Sequence, residues 1–229
     1  IWAPDVMQRA RATGLYLGRD NQLIEVAAGH APPPESDLLP LMPPHEAAAL
    51  RHWSVPELMA RCVTLAQRDF RAATLDAVLP GHGWQLAPVI GWGLSQHRSH
   101  QPAVADPQGF SVEWLRVPAG QCSAPFAIDE TAVLVHASGP LQVALNTGEQ
   151  RLLADLGAWD TLSLPGGCWR QFINTGTQDA EALLVVAGDS RKTPRFDGGV
   201  RTAAVALDMT LDAGGRLARR SLLPPAMTV

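Results

Sequence analysis

From Trp84 onward the chain is a succession of short apolar runs that turn residues keep from growing long. "APVIGWGLS", "GFSVEWLRVPAG", "TAVLVHASG", "LQVALNTGEQRLLADLG", "DTLSLPGG", "WRQFINTG" and "EALLVVAGD" are separated by Gly, Pro or Asn-Thr-Gly at roughly regular spacing. Many short strands joined by such turns predict a β-sandwich or barrel. The 19 prolines and 20 glycines supply the turns, and an apolar fraction of 46% over 229 residues supports a sizeable core. No internal repeat is evident, so the pattern predicts one barrel rather than two.

The flanking regions read differently. Before the strand pattern, "GLYLGRDNQLIEV" (Gly14 to Val26) predicts a hairpin whose turn is Gly18-Arg19-Asp20-Asn21, because Asp and Asn tolerate left-handed backbone. "APPPESDLLPLMPP" (Ala31 to Pro44) predicts a stiff extended connector. Two helices follow in this reading. The first is "HEAAALRHW" (His45 to Trp53). The second starts at the capping box Ser54-Val55-Pro56-Glu57 and carries Leu58, Cys62, Leu65, Ala66, Phe70 and Ala73 on one face as far as Leu79. After the strands, "AAVALDMTLDAGGRLARRSLLP" predicts a tail hairpin turning at Asp212-Ala213-Gly214-Gly215. The expected organisation is an N-terminal extension over 1–83, a barrel over 84–190 and a C-terminal hairpin extension over 191–229.

Charge and cysteine content narrow the function classes. The formal charge is −4, and the 18 basic residues form no dense block, so no nucleic-acid footprint is expected. No apolar run reaches transmembrane length, so no membrane partner is expected. The cysteines, Cys62, Cys122 and Cys168, fit neither a disulfide framework nor a zinc motif, which predicts reduced thiols and a cytoplasmic setting.

Within the strand region the turn residues resemble the two motifs of the cupins. The first motif spaces Gly, His-x-His, Glu and Gly. Here Gly120 and Gly139 keep the separation, Phe126 and Ile128 take the two His positions, and Ala132 takes the Glu position. The second motif spaces Gly, Pro-x-Gly, His and Asn. Here Trp159 takes the Gly position, Pro165, Gly167 and Asn174 match, and Arg170 stands for the His. The resemblance covers roughly residues 84–190. It implies a mainly β fold, a single double-stranded β-helix (jelly-roll) barrel with a helical N-terminal arm and terminal hairpins, often dimeric. Family members bind Fe, Mn, Ni or Zn through three His and a Glu, or bind no metal, and they range from dioxygenases, isomerases and lyases to storage and sugar-binding proteins.

The residues at those positions do not suit a transition metal. Phe126, Ile128 and Ala132 offer no donor, and Arg170 carries a permanent positive charge that repels a cation. No cofactor is therefore expected. Strand parity places Cys122, Phe126, Ile128 and Glu130 on one strand face, and Cys168, Arg170 and Phe172 on another. A Cys122/Cys168 pair is one reading of this lining; two small buried thiols is the other. Arg170 inside an apolar barrel needs a partner. Glu130 can supply it, a carboxylate or phosphate ligand can supply it, or the side chain reaches the barrel mouth.

Outside the motifs, His97 and His100 in "SQHRSH" are weak candidates for an off-pattern metal or acid/base pair, against the reading of a polar loop. His136 reads as a structural histidine. The expected function is a metal-free cupin-fold protein with a small-molecule-binding or structural, accessory role. The expected partner is a small anionic or apolar ligand, and the expected assembly is a homodimer. The rival readings are a divergent enzyme acting on a small organic acid and a ligand-sensing module whose output domain lies elsewhere.

Overall fold

Alternation is the strongest local signal in the chain, and the strands follow it. In β4 (Phe110–Val117) Ser111, Glu113, Leu115 and Val117 are buried while their neighbours face outward. In β11 (Ala180–Ala187) the buried set is Ala180, Ala182, Leu184 and Val186. A period of two with one buried face is what a strand covering a core requires.

The computed structural model describes residues 4–41, 53–106 and 108–224. Contacts divide the chain into two units, Ile1–Val55 and Pro56–Val229. The larger unit holds two five-stranded antiparallel sheets. One has the order β12-β5-β10-β7-β8 and the other β3-β4-β11-β6-β9. Their strands are β3 (Gln85–Ile90), β4, β5 (Phe126–Ala127), β6 (Ala132–Ser138), β7 (Leu141–Leu145), β8 (Leu152–Leu156), β9 (Thr161–Leu164), β10 (Arg170–Ile173), β11 and β12 (Arg195–Phe196). From β4 to β11 the chain passes repeatedly from one sheet to the other, which winds it into a jelly roll. This is the double-stranded β-helix that the motif resemblance implies.

The facing sheets enclose one apolar core built from Trp84, Leu86, Leu115, Phe126, Ile128, Leu134, Leu164, Phe172, Leu184 and others. Trp84 stacks on Phe126 at 5.5 Å between ring centroids and packs on Phe172 at 5.9 Å. The frame residues of the two motifs have geometric work. Gly139 has φ 77, and a side chain there would strike the backbone of Asp179 and Ala180. Asn174 is buried and donates to Val117 O (2.8 Å) and Gln178 O (2.7 Å), tying two turns together. Trp159, at the position where the motif has Gly, adopts the left-handed conformation with φ 71.

The smaller unit contains helix α1 (Pro4–Ala12) and the expected hairpin, β1 (Leu15–Leu17) with β2 (Leu23–Glu25), turning through Asn21 at φ 64. Helix α1 was not expected, although Pro4 at its start, Asp5 in the first turn and Arg9 and Arg11 in the last are ordinary helix signals. The helix expected over His45–Trp53 falls largely on 42–52, outside the described residues.

The helix expected from Ser54 to Leu79 is not formed. Helix α2 covers only Val55–Met59, and single 3-10 turns follow at Leu65–Gln67 and Asp76–Val78. Tertiary packing overrides the periodic pattern. Leu58 and Leu65, part of the supposed apolar face, are exposed. Downstream, Arg71 exchanges two backbone hydrogen bonds with Leu86 (3.0 and 2.9 Å), which lays the segment along β3 as an extended strap. Arg68 holds the strap to the outer sheet face, with an ion pair to Glu181 at 2.6 Å and its guanidinium 4.6 Å from the Trp114 ring.

The tail also differs in part. Residues Ala203 to Ala206, read as strand, belong to helix α3 (Gly198–Ala206), which Asp197 caps by accepting from Val200 N. The hairpin proper is β13 (Met209–Leu211) with β14 (Leu217–Arg219), turning where expected. Among the described residues no helix is long and apolar enough to cross a membrane.

Candidate functional site: a charge cluster at one end of the barrel

The position implied for a metal is filled by packing. Phe126, Ile128, Ala132 and Phe172 are buried in the core with Trp84 against them. Arg170 lies opposite Phe126 in the pairing of β10 with β5 and is 2% exposed. Its Nη2 donates to Pro165 O at 2.8 Å and its Nε to Cys168 O at 3.3 Å, so the guanidinium caps the turn that precedes its own strand. Burial pulls its pKa below the ordinary arginine value, with Cys168 and Glu130 opposing. Neither the donor chemistry nor the packing of these residues fits a divalent metal. Among the described residues no group of three or more His, Cys, Asp or Glu is arranged to hold one.

The two thiols do not meet. Cys122 pairs with Ile173 at one end of β10, whereas Cys168 precedes Arg170 at the other end. Five residues of extended chain separate the ends by roughly 15 Å. Each sulfur has local partners: Cys122 Sγ faces Gly81 O (3.6 Å) and His82 Nδ1 (3.5 Å), and Cys168 Sγ faces Trp169 O (3.3 Å). Cys122 also leaves the Phe126 face, because residues 123–125 are not in a strand and the alternation does not carry through them. Burial holds its thiol above the ordinary pKa, with Gln171 opposing and Asp76 adding to the rise.

His97 and His100 do not converge on a common point; their rings stand edge to face, 6.1 Å apart. His100 is buried, with Nε2 2.8 Å from Asp69 O and Nδ1 2.9 Å from Ser95 Oγ. A carbonyl only accepts, so Nε2 carries the proton and Nδ1 accepts from the serine hydroxyl. Both nitrogens are thus engaged in holding the strap and its neighbouring loop together. His136 is buried between Gly157 O (2.8 Å) and Ser138 O (3.1 Å), a structural placement.

The chemically unusual place is the barrel end where Glu130 lies. Glu130 pairs with Lys192 Nζ at 3.8 Å, and the lysine side chain is buried. Lys192 follows β11 in a loop laced to residues 91–94: Lys192 N donates to Gly93 O (2.8 Å) and Trp92 N to Asp189 O (3.2 Å). Beneath these loops lies Glu113, fully buried on the inward face of β4. Its Oε1 accepts from Leu94 N at 2.9 Å, while Oε2 has no hydrogen-bond partner among the described residues. Gly93 is required here, since a side chain would come within 2.5 Å of Oε2. Burial pushes the Glu113 pKa up to about 8, against the Leu94 N–H and the charges of Arg191 and Lys192. Arg191 stacks over Trp92 at 5.2 Å, and its buried Nη1 likewise lacks a partner among the described residues. Burial and Arg216 lower its pKa, and Glu113 opposes.

Lys192 and Arg191 are the charges that act on Glu113, while Glu130 interacts with Lys192 and with Arg170. Sequence reasoning had Arg170 and Glu130 but missed the other three. Parity alone marks Glu113, which shares the inward face of "GFSVEWLRV" with Leu115 and Val117; Arg191 and Lys192 lie in a loop with no periodic signal.

No protein-family model matches this chain, and no curated protein matches it. Solved structures similar to it include a cupin-2 domain protein from Rhodospirillum rubrum, with 13% identity and a TM-score of 0.44 over 64% of this chain and 84% of that one. Others are the polyketide cyclase of Streptomyces resistomycificus (15%, TM-score 0.44, 59% of this chain and 83% of that one) and a deletion mutant of oxalate decarboxylase from Bacillus subtilis (16%, 0.41, 58% and 30%).

Proposed function

We propose that this chain is a metal-independent binding module of cupin type that takes a small carboxylate or phosphate at the Glu113/Lys192/Arg191 end of its barrel, beside Glu130 and Arg170. The observation that carries this reading is the pair of buried atoms, Arg191 Nη1 and Glu113 Oε2, that have no hydrogen-bond partner among the described residues and lie beside the buried cation Lys192. A buried guanidinium donor without an acceptor is costly, and an anion placed against it satisfies both the charge and the hydrogen bond. Protonated Glu113 is itself a donor that can point its O–H at the same anion.

The test is thermal denaturation with acetate, succinate and inorganic phosphate as probes, at matched ionic strength. The expected result is a saturable rise in Tm with at least one probe, abolished in Arg191→Gln and Lys192→Gln. No saturable rise with any of the three leaves the structural, accessory role as the better reading.

One observation favours an enzymatic alternative. A carboxyl group titrating near 8, with one free oxygen beside cations, is suited to take and return a proton on a bound organic acid. Exchange of solvent deuterium into the carbon next to the carboxylate of such a ligand, lost in Glu113→Gln, would support that alternative.

A further inference from the structure

The two sheets end in four outer strands, β12, β8, β3 and β9. An outer strand offers unpaired backbone N–H and C=O groups, and proteins ordinarily guard it. Three of the four are guarded. Strand β12 has two residues. Strand β3 carries Pro88, a register shift between Pro88 and Ile90, and bridges to Arg71 and Val104. Strand β9 turns polar Thr161 and Ser163 outward and runs into Pro165. Strand β8 lacks the shortness, the proline and the register break of the others, and Asp155 is the one polar side chain it exposes. Its five residues pair in unbroken register with β7 from Leu141↔Leu156 to Leu145↔Leu152. Among the described residues nothing pairs with its other side, and Leu152 and Leu153 are 59% and 46% exposed.

We propose that two copies of this chain join edge to edge through β8, antiparallel about a two-fold axis at Leu153. The sequence Arg151-Leu152-Leu153-Ala154-Asp155 is self-complementary in that register. Leu153 meets its own counterpart, and Arg151 of each copy stands opposite Asp155 of the other. Side chains of one strand alternate faces, so Arg151, Leu153 and Asp155 share a face and the two ion pairs flank the leucine contact. Among the described residues these charges are engaged by neutral amides: Arg151 Nη2 donates to Gln171 Oε1 (3.2 Å), and Asp155 Oδ1 accepts from Gln142 Nε2 (2.8 Å). Among the described residues neither takes part in an ion pair, so both charges remain for the partner copy. An isologous contact of this kind closes on itself and does not propagate into a fibre.

Charge reversal tests this with the full chain. Light scattering across a concentration series should show a reversible monomer–dimer equilibrium. Arg151→Asp opposes two pairs of carboxylates and Asp155→Arg two pairs of guanidinium groups, so each variant alone should dimerise about tenfold more weakly or worse. An equimolar mixture of the two variants should regain the dimer, because every cross-strand pair is then Asp against Arg. The double variant Arg151→Asp/Asp155→Arg should regain it as well. Recovery in the mixture excludes misfolding as the cause of the loss. A wild-type chain that stays monomeric throughout the series, single variants that dimerise as well as the wild type, or a mixture that fails to recover would each overturn the proposal.

Discussion

Trp84 and Asp76 are joined by a 2.8 Å hydrogen bond from the indole Nε1 to the carboxyl Oδ2, and both side chains are fully buried. The same oxygen accepts from Ala124 N at 2.7 Å, so Asp76 ties the strap before β3 to the central tryptophan of the core and to the loop before β5. Removing it strands two buried donors at once. Asp76→Ala should lower unfolding free energy by about 2–4 kcal/mol. Asp76→Asn, whose amide oxygen still accepts both bonds, should lower it much less. Denaturant titration of the two variants distinguishes them, and equal losses would refute the assignment.

Glu113 contributes to the pH dependence, in the same direction as buried Asp76, whose pKa burial also raises. The folded pKa of Glu113, about 8, lies above the ordinary value of 4.5, and burial is the main cause. Between those values the folded state holds a proton that the unfolded state has released. Stability should therefore be greatest below about pH 4.5 for this group, fall as pH rises toward 8, and level off above it. Glu113→Gln should remove this contribution, on the order of a few kcal/mol, and make the variant relatively more stable at pH 8 than at pH 5. Denaturation midpoints for both proteins across that range provide the check; parallel curves would contradict it.

Trp159 stores backbone strain. A bulky side chain at φ 71 costs about 1–2 kcal/mol, and this one is 74% exposed, so its packing returns little. Trp159→Gly should stabilise the fold by about 1 kcal/mol, read as a raised Tm. A lowered Tm would show that the indole packs where the geometry places it in solvent.

Much of the barrel was legible because its signals are local. Alternation in "GFSVEWLRV" and "EALLVVAG" names the inward residues of β4 and β11, and Gly120, Gly139, Pro165, Gly167 and Asn174 mark turns that the backbone makes. The strap was misread for a physical reason. Three- and four-residue spacing from Leu58 to Ala73 carries no information about what the side chains will meet, and burial of Ala73 and Asp76 against the barrel outweighs helix propensity. Cys122 was placed on the wrong face because parity holds only while a strand is continuous. The cluster around Glu113 was half visible, since its cations come from a loop that only the tertiary fold brings back over β4.

Replacing the aromatic packing around Phe126 should be costly. Phe126 stacks on Trp84 and meets Phe172 at 5.8 Å, so Phe126→Ala should lower stability by about 3–5 kcal/mol. A loss below about 1 kcal/mol would mean that this position is a loosely filled pocket.

The central claim, an anion seat at the Glu113 end of the barrel, is tested most directly by isothermal titration with whichever of acetate, succinate or phosphate raises the Tm, run at pH 6.5 and pH 9 in buffers of different ionisation enthalpy. Binding should be saturable with one site per chain, weaken as pH rises through about 8, and draw in protons above that value in the wild type but not in Glu113→Gln. Affinity that is the same at both pH values and unchanged in Glu113→Gln and Arg191→Gln would contradict the account.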